Sequence, residues 1–220
     1  MALKACRSQS SPGQDGITYG MLKRIPYKLV AILAQLYTVC LMAGYSPPCW
    51  KAAIGVMIAK PGKDGKVASD YRHISLLSTL GKLFEKVIAT RLYEHFEENS
   101  FFNQWQRAYL AKKEAAEHIY RLTQSIMLAK EKHWTASVIS LDVEKAFDSV
   151  WHDGLRYKLT TNGLPVKLVR LLSSFLCDRT ISVRAGNVLS KPVRLQAGTP
   201  QGSVLSPLLY RDVRSDWRSR

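Results

Sequence analysis

The sequence predicts an α+β fold in a single domain. Helical and alternating hydrophobic patterns interleave along the 220 residues, and no linker, repeat or low-complexity tract separates them. A hydrophobic content of 46% is enough to build one core. Strand and helix segments of ordinary length then share that core.

"SPGQDGI" at 11–17 is a turn-rich opening. A helix is predicted over 27–43, ended by Gly44 and the "SPP" that follows. "AAIGVMIAK" (52–60) and "YRHISLL" (71–77) predict two strands joined through "PGKDGK". Leu80, Leu83, Phe84, Val87, Ile88, Leu92 and Phe96 recur at helical spacing and predict an amphipathic helix over 79–98. A further helix is predicted across 112–131, then a strand over "ASVISLDV" (136–143). Helical segments follow after Val150 and over 165–176. "TISVRAGNVLSKPVRL" (180–195) predicts a hairpin turning at Gly186–Asn187. Ser206–Pro207 suits a helix N-cap followed by proline at the first helical position. A start at Ser203 is the alternative, and it would put Pro207 where a backbone donor is wanted.

The chain carries 32 basic against 17 acidic residues, a formal charge of +15. Such a surplus attracts polyanions over long range, nucleic acid before an anionic membrane surface. The four cysteines show no metal-binding spacing and are expected to be reduced thiols, and the scattered histidines offer no zinc site. No apolar signal region follows Met1, so a nuclear or cytoplasmic, non-secreted protein is expected. "LVAILAQLYTVCLMAG" (29–44) is shorter than the ~20 apolar residues of a membrane span, and a buried helix with no membrane partner is expected there.

"VISLDVEKAFDSVWH" (138–152) puts two acids six residues apart among bulky aromatics. Asp142 stands at the predicted strand end, where a side chain reaches a cleft or caps a helix. Asp148 suits an exposed acid or a partner for Lys145, and Trp151 is assigned to the core. The spacing alone does not make a carboxylate dyad.

"SLDVEKAFDSVWHDGL" resembles the first catalytic motif of reverse transcriptases from non-LTR (LINE-type) retrotransposons. "SPGQDGI", "YRHISLL" running into "GKLFEKVIATRL", and "GTPQGSVLSPLL" resemble other segments of the same domain in the same order. The resemblance covers about residues 8–209 and implies the fingers and partial palm of a right-hand polymerase over 1–209, with a divergent Arg-rich tail at 210–220. It further implies template-directed nucleotidyl transfer with an RNA template, a DNA primer and deoxynucleoside triphosphates.

By the same resemblance, Asp142 is the first catalytic aspartate and, with the backbone carbonyl of Val143, a Mg²⁺ ligand. Hard oxygen donors suit that ion, and two such ions would activate the attacking hydroxyl and neutralise the leaving group. Phe147 matches the aromatic beneath the nucleotide sugar, which leaves no room for a 2′-hydroxyl. Lys60 and Arg72 match residues that contact the triphosphate, one a mobile point charge and the other a bidentate grip. Gln201 matches a residue lining the nucleotide pocket, and Gly202 lets backbone approach the substrate closely.

The chain departs from the family pattern in three places. His73 stands where proline usually follows "YR". "NQWQRAYLAKKEAAEHI" (103–119) only loosely resembles the template-contacting segment. The expected aromatic-x-Asp-Asp hairpin is missing: no Asp-Asp occurs in the sequence, and Asp212 and Asp216 lie in an Arg-rich stretch. A chain truncated before that hairpin, without a thumb, is therefore expected to polymerise little by itself. A non-catalytic nucleic-acid-binding remnant of a retroelement polymerase is the alternative.

Overall fold

The computed structural model describes residues 2–99, 115–143 and 145–213. Turns dominate the first residues, and a short helix α1 (Tyr19–Leu22) follows, its N-terminus capped by Thr18. Helix α2 (Tyr27–Ala43) starts after Pro26 and stops at Gly44, which takes the left-handed conformation that suits glycine. Its length and ends match the predicted segment. It packs through Tyr37 and Cys40, whereas Leu29, Ile32, Leu36 and Val39 stay exposed, so the helix is buried on one side only. Tyr37, Trp50 and Phe84 form an aromatic cluster with ring centroids 5.0–5.7 Å apart.

Strands β1 (Ala52–Ala59) and β2 (Tyr71–Leu76) pair antiparallel, as their shared turn requires. Helix α3 (Thr79–Glu98) follows at once, its N-terminus capped by the Ser78 hydroxyl, which also donates to Asp15 Oδ2 at 2.6 Å. The opening motif is thus fastened to the start of α3. The predicted stripe faces inward: Leu83, Phe84, Ile88, Leu92 and Phe96 are all buried. Each such side chain contributes about 1.5–3 kcal/mol by leaving water.

Helix α4 (Ala115–Glu131) keeps Ile119, Tyr120 and Met127 exposed. Helices α5 (His152–Thr161) and α6 (Val166–Leu176) add Leu155, Leu159, Leu171, Leu172 and Phe175 to the core. Strand β3 (Arg179–Ala185) returns parallel to β1, a crossover that the periodicity did not reveal. The predicted turn at Gly186–Asn187 leads into β4 (Val188–Leu189), and β5 (Val193–Leu195) pairs with the start of β3. The sheet order is β2-β1-β3-β4, with β2 at one edge. Helix α7 (Ser206–Val213) has Ser206 as its first residue and not as its cap, so Pro207 is second; the Ser206 hydroxyl donates to the Pro200 carbonyl, Ser206 N donates to Ser203 Oγ, and Leu208 and Leu209 are buried. Helix and strand in one body match the α+β expectation. No helix among the described residues is long and apolar enough to cross a membrane.

Two sequence expectations are corrected. Residues 136–143 form no strand, and Val138, Ile139 and Leu141 lie exposed, Ile139 at 83%. β-branched residues favour an extended chain only when a neighbouring strand and a covered face reward it, and no described strand lies beside this segment. Trp151, expected in the core, is 70% exposed and lies across Gly154 at the start of α5. There an added Cβ would meet the ring at 2.4 Å. All four cysteines are free thiols, as expected.

Candidate nucleotide site

The turn after Asp142 and the "GTPQGS" loop are stitched together by backbone hydrogen bonds. Gly198 N donates to the Val150 carbonyl at 2.9 Å and Thr199 N to the Phe147 carbonyl at 2.7 Å. His152 Nε2 lies 2.7 Å from the Gly198 carbonyl oxygen. Gly198 sits flush on the turn: with φ +84°, an added Cβ would stand 2.7 Å from the Asp148 carbonyl oxygen. One step further, Ser75 N donates to the Gln201 carbonyl at 2.7 Å, so the loop docks on the free edge of β2. That bond also occupies an edge donor that would otherwise invite another strand. Three chain segments distant in sequence thereby meet around Gln201.

A cavity of about 350 Å³ opens at this junction. Met57, His73, Ser75, Ile181 and Val183 line it from one face of the sheet. The register explains the set, because Met57 faces His73 across the ladder and Gly55 faces both Ser75 and Val183. Asp148, Thr199 and Pro200 close the other side.

The predicted residues distribute unevenly around this junction. Gln201 and Gly202 belong to it. Phe147 stands beside it, half-buried, its ring 5.2 Å from that of Tyr210 on α7. Arg72 is exposed and faces Ile58 across the ladder, on the opposite side of β2 from His73. Lys60 lies just past β1, and its ammonium donates to the Ser69 carbonyl at 2.9 Å. The hairpin does bring Lys60 and Arg72 to one end of the sheet. Asp142 is exposed, neither at a strand end nor at a helix N-cap, and its carboxylate accepts from the neighbouring Val143 N at 2.9 Å. Asp148 is a contact residue of the junction: its Oδ1 lies 3.5 Å from both His73 Nε2 and Gln201 Nε2. Residues 103–114 of the expected template-contacting segment and Asp216 lie outside the described residues.

A magnesium pair needs several hard, anionic oxygens gathered in one place. Among the described residues no group of three His, Cys, Asp or Glu side chains gathers to hold a metal. Asp142 and the Val143 carbonyl supply one carboxylate and one neutral oxygen, too little negative charge to keep two close divalent cations together. These residues do not fit a two-ion centre.

Two buried charges behind the loop escaped the sequence reasoning. Glu85 of α3 accepts from the Ser203 hydroxyl at 2.6 Å, from Val204 N at 2.7 Å and from Leu205 N at 3.3 Å. It therefore satisfies donors just before α7 and anchors the segment that follows Gln201. Its signal was legible: Glu85, Ile88, Leu92 and Phe96 share one helical stripe, so a carboxylate sits among apolar positions. Arg179 is the second, 2% exposed, donating to the Phe175 carbonyl at 3.0 Å.

Burial pushes the Glu85 carboxyl above the usual carboxylate range, opposed by the Ser203 hydrogen bond and the Arg179 charge. Burial lowers Arg179, and the Glu85 charge opposes it. A raised carboxyl stabilises the fold fully below its unfolded pKa and loses that contribution as pH climbs through the folded value. Urea unfolding from about pH 4 to about pH 8 should thus show a downward contribution to stability that Glu85→Gln removes.

Residues 58–215 match the family model described as reverse transcriptase (RNA-dependent DNA polymerase). The chain belongs to the reverse transcriptase family. It is 38% identical over 215 residues to a probable RNA-directed DNA polymerase from transposon BS of Drosophila melanogaster, covering 98% of this chain and 24% of that relative. It is 34% identical over 208 residues to the RNA-directed DNA polymerase from mobile element jockey of the same species, covering 94% of this chain and 23% of that relative. A retrovirus-related Pol polyprotein from the R2 element of Popillia japonica is 30% identical over 205 residues, covering 93% of this chain and 27% of that relative. The expected kinship with non-LTR retrotransposon polymerases is thereby met. This reverse transcriptase chain spans about a quarter of the length of these relatives.

Proposed function

We propose that the chain forms the fingers and part of the palm (residues 1–209) of a retroelement RNA-directed DNA polymerase, acting on an RNA template, a DNA primer and deoxynucleoside triphosphates. The observation that carries the proposal is the junction of the Phe147 turn, the Gln201–Gly202 loop and the edge of β2, beside a cavity lined in part by Asp148, Thr199 and Pro200. In this proposal Gln201 and the backbone at Gly202 bound the nucleotide, and Phe147 lies beneath its sugar. Lys60 and Arg72 supply positive charge for the triphosphate. Asp142 and the Val143 carbonyl would be Mg²⁺ ligands in such a polymerase, although by themselves they do not fit a two-ion centre. The proposed place of action is nuclear or cytoplasmic.

The 220-residue chain holds one of the three carboxylates such a centre requires, since it contains no Asp-Asp pair. Primer extension on an RNA template with the purified chain should therefore give no detectable product. Clear Mg²⁺-dependent synthesis that Asp142→Ala abolishes would overturn this expectation.

The +15 charge favours a second proposal, binding of RNA without chemistry. Fluorescence anisotropy with a labelled RNA should then show affinity falling at least about tenfold between roughly 50 and 200 mM salt, as neutralised phosphates release counterions. Salt-independent binding would count against it.

A further inference from the structure

Helix α2 is fastened to the core along one side. The Tyr37 hydroxyl donates to the Leu80 carbonyl at 2.7 Å, and Gly44 sits so close to α6 that an added Cβ would stand 2.9 Å from the Arg170 Cβ. About a third of a turn away around the helix, Leu29, Ile32, Leu36 and Val39 remain 44–63% exposed. Their spacing of three, four and three residues is that of the a and d positions of a coiled coil. Four branched apolar side chains thus form one seam along a helix of 17 residues, about 25 Å long. No residue from 29 to 44 carries a charge, in a chain whose formal charge is +15. Because the core holds the helix from behind, docking on the seam orders little that is not already ordered. No helix among the described residues is long and apolar enough to cross a membrane, so a bilayer span does not account for the seam.

Charge and symmetry select the occupant. Two +15 chains repel wherever their basic surfaces meet, and along this seam they meet without opposing like charges. We propose that α2 is the interface of a homodimer, in which the seams of two copies pack antiparallel about a two-fold axis. Leu29 then faces the partner's Val39 and Ile32 the partner's Leu36, so the axis passes beside Gln35. Each Gln35 meets the partner's Gln35. An amide carries both a donor and an acceptor, so the two satisfy each other across the axis. The same register sets Lys28, the one charged residue of α2, beside the partner's Met42. The two ammonium groups are then about 14 residues, or ~21 Å, apart along the seam, beyond a screening length of ~8 Å. A parallel pair would bring both Lys28 side chains to one end and leave Gln35 without its mate.

Sedimentation velocity of the 220-residue chain over a range of concentrations tests this. A face one helix wide should give a Kd on the order of 10 µM. Ile32→Lys, which puts a cation into each seam, should raise that Kd at least about tenfold. Gln35→Glu and Gln35→Lys each set like charges across the axis and should weaken the dimer by a similar factor. Their equimolar mixture should associate at least as tightly as the wild type, because opposite charges then meet at the axis. Both positions are exposed, so the fold should survive, and thermal melting verifies it. Salt supplies an independent sign. Apolar contact between like-charged chains should tighten from roughly 50 to 500 mM salt, whereas association bridged by RNA should weaken. A wild-type chain that stays monomeric up to about 200 µM overturns the proposal, whether or not lipid vesicles or another protein then take the face. A dimer that Ile32→Lys leaves intact, or that weakens as salt rises, overturns it too. So does a mixture of Gln35→Glu and Gln35→Lys that associates no more tightly than either alone.

Discussion

Glu85→Ala is expected to lower the stability of the fold by about 3–5 kcal/mol, the cost of leaving three donors without their acceptor in a buried place. The substitution removes the acceptor for Ser203 Oγ, Val204 N and Leu205 N together, and it strips Arg179 of the opposite charge that favours its ionised form. Urea denaturation followed by circular dichroism measures the change. Glu85→Gln keeps the shape and one accepting oxygen, and should lose about 1–2 kcal/mol. A loss from Glu85→Ala below 1 kcal/mol would mean that water or rearranged backbone replaces the carboxylate. Glu85 lies in the stripe that buries Ile88, Leu92 and Phe96, so its loss also loosens the junction between α3 and the start of α7.

Gly202→Ala is the second large effect. Gly202 has φ +119°, a region that side chains rarely adopt, and a Cβ built there stands 2.6 Å from the Ser75 carbonyl oxygen. That oxygen is backbone of β2 and cannot swing aside, so the loop must lift from the strand. The expected cost is about 2–4 kcal/mol, combining backbone strain with the clash. Because Ser75 N donates to the carbonyl of the adjacent Gln201, the same change should break that bond. Hydrogen exchange is the check: the Ser75 amide should lose protection first, ahead of amides in α3. Protection equal to that of the wild type at Ser75 would show that the loop accommodates a methyl group.

The helices were legible because their signals are local. The stripe over 79–98 and Gly44 after 27–43 each act within one or two turns, and the structure follows them; the helix near Ser206–Pro207 forms too, one residue earlier than a Ser206 cap implies. The hairpin through residues 61–70 and the turn at Gly186–Asn187 were legible for the same reason. Residues 136–143 misled because β propensity reports how well side chains fit a sheet that must already be present. Trp151, assigned to the core, instead covers Gly154 at the surface, where the missing glycine side chain leaves room for the ring.

At the site, ordered motifs identified the family before any geometry was known, and residues 58–215 match its description. The sequence alone determined which segments are helical, where the turns fall, and that Gln201, Gly202 and Phe147 belong to related motifs. Only the tertiary structure decided that β3 runs parallel to β1, that Arg72 and His73 take opposite faces of β2, and that Asp148 lies within reach of Gln201. It also revealed that the stripe's single carboxylate, Glu85, holds the backbone that follows Gln201. The physical reason is range: caps, turns and periodicity act between near neighbours, whereas parallel pairing and buried charge depend on partners more than a hundred residues away, as Glu85 and Ser203 are.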